Sequence, residues 1–142
     1  INLRRRQRVI DIAREQLGDL EDKKVLVLGA AFKPDSDDLR DSPAVDVARK
    51  LKLHGAKVTV HDPMALGNLH LVAPEIESNE DLVAASENAD LVVLATEWKE
   101  YRELNPAELK SANKVIIDGR NVLDVEKWQS AGWKLIALGR SL

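Results

Sequence analysis

Cysteine is absent from this 142-residue sequence. Its absence excludes a disulfide framework, a thiolate metal site and a cysteine nucleophile within the chain. No apolar run approaches the roughly 20 residues that a membrane-crossing helix needs, and no signal-peptide pattern opens the chain. The expectation is a cytoplasmic protein without a membrane partner. Neither sign of charge dominates: the formal net charge is -3, which gives no electrostatic reason to expect nucleic acid. Internal repeats and low-complexity linkers are missing as well. What is present suffices for a core, with 44% hydrophobic and 32% charged residues, and the length suits one domain. The chain opens on Ile1 rather than Met, so a piece of a longer protein is expected.

The pattern alternates between strand and helix. The first segment, from about Asn2 to Leu20, places Val9, Ile12, Ala13, Gln16 and Leu17 on one helical face. Arg4, Arg5, Arg6 and Arg8 fall mostly elsewhere and read as a solvated face, with an anion-binding or docking role as the alternative. This helix, stopped at Gly18, reads as standing ahead of the domain. Val25 to Leu28 is a short apolar strand. Ser42 as cap, Pro43 at the first position and Gly55 as stop bracket a helix. Lys57 to His61 is a second strand, ended by Asp62-Pro63, and Ile76 centres a third. Ser78 with Asp81 resembles a capping box for a helix to about Asn88. Leu91 to Ala95, Lys114 to Asp118 and Lys134 to Ala137 complete the strands. Helices are expected over Pro106 to Ser111, capped by Asn105, and over Asp124 to Ala131. Apolar strands alternating with helices imply a parallel sheet covered on both faces. The fold class is α/β: a doubly wound, mostly parallel, Rossmann-like sheet in a single domain with an N-terminal helix. With the usual strand order the winding reverses between the first and fourth strands. The loops after Leu28 and Leu94 should then flank one cleft, with the loop after Ile117 beside it.

The dinucleotide fingerprint G-x-G-x-x-G belongs after the first strand. The sequence there reads Gly29, Ala30, Ala31, Phe32, Lys33, Pro34, with one glycine where three are needed. Ordinary dinucleotide binding is therefore not expected in this crevice. Lys33 stands at its mouth beside the apolar Phe32, and Arg40 and Ser42 follow before a helix N-terminus, which favours anions. These features suit a phosphorylated ligand. Equally, Lys33 and Arg40 could pair with Asp35, Asp37, Asp38 and Asp41. After the fifth strand, Gly119 turns the chain and Arg120 emerges at the strand end, suited to bidentate binding of phosphate or carboxylate; pairing with Asp118 or Asp124 is the alternative. After the fourth strand, Thr96 is a candidate helix cap and Glu97 a partner for a hydroxyl or a basic neighbour. Trp98 either walls the cleft or joins the core, and Tyr101 reads as core. Asp62, near the position of a ribose-binding acid, reads as turn chemistry. His54, His61 and His70 lack metal-ligand spacing, and no Ser/His/Asp set or isolated carboxylate pair stands out.

LGAAFKPDSDDLRDSP (Leu28 to Pro43), VHDP (Val60 to Pro63), ATEWKEY (Ala95 to Tyr101) and DGRNVLD (Asp118 to Asp124) occur in that order. Together they resemble the C-terminal domain of the UDP-glucose/GDP-mannose dehydrogenase family, over essentially the whole chain. The resemblance implies that residues 1–22 are the end of the linker helix from a central domain and residues 23–142 the UDP-binding domain. It implies a homodimeric parent that oxidises the C6 alcohol of a nucleotide sugar to a carboxylate with two NAD⁺. The missing N-terminal and central domains would carry the main NAD site and the catalytic cysteine, lysine and aspartate. Position by position, Phe32 and Lys33 would contact the uridine nucleotide, Arg120 the substrate as well, and Arg40 would reach across the domain boundary to NAD. UDP-glucose is the expected donor, from the form FKPDSDDLRDSP, with a UDP-N-acetylhexosamine or GDP-mannose as the alternatives. The chain alone would bind UDP weakly and catalyse nothing, since the family's thioester chemistry needs the absent thiolate. The competing reading is a free-standing Rossmann-like module that senses a nucleotide or CoA.

Overall fold

The computed structural model describes residues 3–139. At its centre lies β1 (Lys24–Leu28), whose Val25 to Leu28 are buried. It pairs in parallel with β2 (Lys57–His61) on one side and β4 (Leu91–Leu94) on the other, so that Leu28 faces both His61 and Leu94. Beyond β2 comes β3 (Glu77–Ser78); beyond β4 come β5 (Val115–Asp118) and β6 (Lys134–Ala137). All pairings are parallel, in the order β3-β2-β1-β4-β5-β6. This is the doubly wound α/β sheet expected from the sequence. The winding reverses between β1 and β4, so their carboxyl ends open one crevice.

Local chemistry sets most helix limits. In α2 (Pro43–Leu53) the Ser42 hydroxyl accepts from the Val45 amide, proline takes the first turn, and Gly55 turns the chain out at φ 93. In α6 (Val125–Ser130) Asp124 accepts from the Lys127 amide, and Trp128 is driven into the core against Trp133 in an edge-to-face contact at 5.1 Å. Helix α1 (Leu3–Leu17) ends at Gly18, φ 75. Rather than standing off, it packs on α2 and touches β5. Ile10, outside the narrow stripe read from the sequence, is fully buried with Ala13, and Arg6 reaches Asp46 of α2 at 3.4 Å. Full burial of a side chain such as Ile10 contributes about 1.5–3 kcal/mol.

Several local expectations shift. Helix α3 (Leu66–Val72) was not expected: it buries Leu69 and has no side-chain cap, so it carries no periodic stripe. The third strand lies just past Ile76, which is buried beneath it. Helix α4 (Leu82–Ser86) is capped by Asp81, while Ser78 sits in β3. Helix α5 (Lys99–Arg102) follows Trp98 without a side-chain cap, because the Thr96 hydroxyl donates to the Ala31 carbonyl instead. Pro106–Glu108 forms a single 3-10 turn capped by Asn105. The chain then leaves the helical path, and Lys110 bonds back to Ser86 and Asn88.

Candidate functional site

The loop leaving β1 is held by contacts from three directions. Gly29 has φ 110, and its amide donates to the His61 carbonyl at 2.7 Å. The amides of Ala30 and Ala31 both donate to Asp62 Oδ2, at 2.8 and 3.0 Å. The same oxygen accepts from Trp98 Nε1 at 3.1 Å, and Asp62 Oδ1 accepts from the amides of Met64 and Ala65, each at 2.8 Å. Asp62 is buried. A buried carboxylate demands compensation of this kind, and these donors supply it. The expected turn chemistry of Asp62 is present, but the contact to the β1 loop is additional. The Ser42 hydroxyl donates to the Ala30 carbonyl at 2.5 Å, and Thr96 secures Ala31 at 2.9 Å.

From this anchored base the chain turns outward. Phe32 is 49% exposed, unusual for so large an apolar side chain, and Lys33 is exposed beside it. The Phe32 amide donates to the Asp38 carbonyl at 2.7 Å, closing the loop, and Asp35 and Asp41 take left-handed φ values of 60 and 51. The two cations differ in their pairing. Arg40 pairs with Asp38 at 2.9 Å through an exposed contact that holds the Asp38 carboxyl below its ordinary range. Lys33 makes no ion pair within 4 Å among the described residues, although its charge also acts on the Asp38 carboxyl.

A second buried carboxylate organises the loop after β5. Asp118 Oδ1 accepts from the amides of Arg120 and Asn121 at 3.0 and 2.8 Å, and Oδ2 from those of Val122 and Leu123, each at 2.8 Å. Gly119 is required here, because a Cβ would lie 2.6 Å from the Leu94 carbonyl oxygen. The Arg120 guanidinium emerges half-buried and pairs through Nε with Glu97 at 2.8 Å. Its counter-charge is thus Glu97 from the β4 loop, so the loops after β4 and β5 are joined by an ion pair. Trp98 and Tyr101 are both buried. The Tyr101 hydroxyl donates to the His61 carbonyl at 3.0 Å and meets His61 Nδ1 at 2.7 Å. Burial lowers the His61 pKa and keeps the Tyr101 phenol protonated.

The comparisons with known proteins come down on one side. The model of the UDP-glucose/GDP-mannose dehydrogenase family, UDP binding domain, matches residues 26–125. The chain belongs to the UDP-glucose/GDP-mannose dehydrogenase family. It is 34% identical over 142 residues to UDP-glucose 6-dehydrogenase TuaD of Bacillus subtilis, covering 98% of this chain and 31% of that protein. With UDP-glucose 6-dehydrogenase of Rhizobium meliloti the identity is 37% over 125 residues, 87% of this chain and 29% of the relative. Among solved structures, a UDP-glucose dehydrogenase from the archaeon Pyrobaculum islandicum superposes with a TM-score of 0.79 at 36% identity, over 96% of this chain and 29% of its own. The chain therefore spans about a third of the length of these relatives.

In this member of the family a groove lies away from Lys33. It has a volume of about 790 Å³ and lies on the other side of the 37–42 loop, between Arg6, Asp46, Arg49 and Asn68. Arg40 borders it, whereas Phe32, Lys33 and Arg120 do not. No helix is long and apolar enough to cross a membrane, among the described residues.

Proposed function

We propose that this chain is the UDP-binding part of a UDP-glucose 6-dehydrogenase, an enzyme that oxidises the C6 alcohol of UDP-glucose to the carboxylate of UDP-glucuronate with two NAD⁺. The observation that carries the reading is Lys33: an exposed cation without an ion pair, beside an exposed Phe32, at the switch point of the sheet. In this reading the Lys33 ammonium meets the diphosphate, and Phe32 covers the apolar face of the uridine. Arg120 is held by Glu97 through Nε, which leaves the end of its planar fork for an anionic or hydroxyl oxygen of the donor. The family match on the UDP binding domain supports the same ligand. Helix α1 is then the end of a linker from a preceding domain.

NAD supplies hydride acceptance in such an enzyme, but the crevice of this chain does not fit a dinucleotide pyrophosphate. The amides of Ala30 and Ala31 that would receive it already donate to Asp62. In this reading NAD is held by the rest of the parent, and Arg40, exposed at the loop tip, is the group of this chain that reaches toward it. With no cysteine, the chain alone binds and does not catalyse. In this reading the rest of the parent supplies the remaining walls of the site.

Titrating UDP into the ¹⁵N-labelled chain should move the amide signals of Phe32, Lys33 and Arg120. Lys33→Ala should abolish these shifts, and in the full-length parent it should raise KM for UDP-glucose about tenfold or more, as expected for removing one charge-assisted contact of ~1.5–3 kcal/mol. Shifts confined to other residues, or an unchanged KM, would remove Lys33 from the substrate surface.

A further inference from the structure

We infer that Asp62 is an internal substitute for a ligand phosphate, occupying the backbone donors of the β1 loop so that the crevice is closed to a dinucleotide and the Phe32–Lys33 segment is held ready. In a dinucleotide-binding sheet the acid beyond the second strand faces outward to the ribose, and the amides after the first strand face the pyrophosphate. Here the acid beyond β2 turns inward. Asp62 Oδ2 takes the Ala30 and Ala31 amides at 2.8 and 3.0 Å, together with Trp98 Nε1 at 3.1 Å. Oδ1 takes the Met64 and Ala65 amides, each at 2.8 Å. A carboxylate is therefore already present where these donors converge, and the Ala30 and Ala31 amides are not left for a second anion. Gly29 confirms the division of labour. Its missing side chain makes room for Thr96 of the neighbouring strand end, whose backbone nitrogen would lie 2.7 Å from a Cβ, and not for a phosphate.

The same contacts make Asp62 a positioning residue for Lys33. Ala30 and Ala31 directly precede Phe32 and Lys33, and their amides are fixed by one oxygen of one carboxylate. That the positioned lysine serves UDP rests on the function proposed above. That Asp62 acts as a built-in anion does not.

Chemical rescue of the 142-residue chain tests this without any nucleotide. Asp62→Ala removes the carboxylate and leaves its donors facing a small cavity. In chloride buffer its thermal midpoint should fall well below wild type. Formate and inorganic phosphate should each restore part of the loss in a saturable manner. Rescue is the gain of Asp62→Ala beyond the gain of wild type in the same anion, since phosphate stabilises folded proteins in general, and neutral formamide should restore nothing. A midpoint rescued by neither anion, or restored equally by formamide, would overturn the inference; rescue by formate without phosphate would overturn the phosphate analogy. Should Asp62→Ala not fold, Asp62→Asn preserves the shape while placing an amide group among donors. The Ala30 and Ala31 amide protons should then move upfield, and signals left at their wild-type positions would overturn the inference. Failure of UDP to bind the wild-type chain would instead count against the proposed function and leave these measurements untouched.

Discussion

Gly29→Ala should be among the most damaging single substitutions in the chain, for reasons unrelated to any ligand. The residue sits at φ 110, where an L side chain is strained by about 1–3 kcal/mol. An added Cβ would overlap the Thr96 side chain and lie 2.7 Å from the Thr96 nitrogen, both at the closest approach of the β1 and β4 ends. Overpacking of this kind costs about 1–3 kcal/mol. Relief requires Thr96 to move, which breaks its hydroxyl bond to the Ala31 carbonyl at a further ~0.5–1.5 kcal/mol. Because one displacement serves both the clash and the bond, the contributions overlap, and a total of roughly 3–5 kcal/mol is expected. That is a large share of the ~5–15 kcal/mol that stabilises a typical domain. Urea unfolding followed by tryptophan fluorescence would read it as a midpoint lowered by about 2 M, given a slope of ~1–3 kcal/mol/M. Gly67→Ala in α3 is the control: its Cβ meets nothing within 4 Å, and it should be neutral or stabilising by up to ~1 kcal/mol. A Gly29→Ala loss below about 1 kcal/mol would show that the strand ends do not approach as described and would refute the reasoning.

Two further outcomes follow from the buried His61–Tyr101 pair at the end of β2. Tyr101→Phe removes the hydroxyl that serves both the His61 carbonyl and Nδ1, and should lower the unfolding free energy by about 1–3 kcal/mol; a neutral substitution would mean that the bridge contributes nothing. His61 has its pKa lowered by burial, against the opposing charges of Glu100 and Asp62. The unfolded chain therefore takes up this proton first, near pH 6.5, so stability should be full above that pH and fall as the pH drops toward the native pKa. Urea midpoints measured from pH 8 to 5 should fall less steeply in His61→Phe; identical slopes would assign the acid sensitivity to other groups.

What could be read from the sequence was what neighbours in sequence decide. Ser42, Pro43 and Gly55 bracket α2 through bonds within a few residues, and Asp124 and Asn105 cap in the same way. The strand order followed from the apolar strands and the ordinary winding of such sheets. The functions of Asp62 and Thr96 were hidden because their partners are distant: Asp62 reaches Ala30 across 32 positions and Trp98 across 36, and Thr96 reaches Ala31 across 65. An aspartate that ends a strand before proline looks like turn chemistry until the loop beside it is known. Arg40 and Lys33 could not be separated by spacing, since both stand among aspartates; only the loop geometry gives Asp38 to Arg40. Helix α3 was missed because it is short and buries one leucine, too little to impose a period.

The carboxylates of Asp62 and Asp118 occupy many of the backbone donors of the loops that face the candidate site. On the proposed function, recognition is then left to side chains that project from this scaffold, and side chains can be exchanged one at a time. If the proposed function holds, a substitution at position 32 or 33 should alter which nucleotide the surface selects without removing the carboxylate contacts that hold the loop, whereas one at 120 also breaks the ion pair to Glu97. On that reading Phe32 and Lys33 set selectivity while Asp62 and Asp118 hold the fold, and the ligand preference of such a domain can drift while its frame stays fixed.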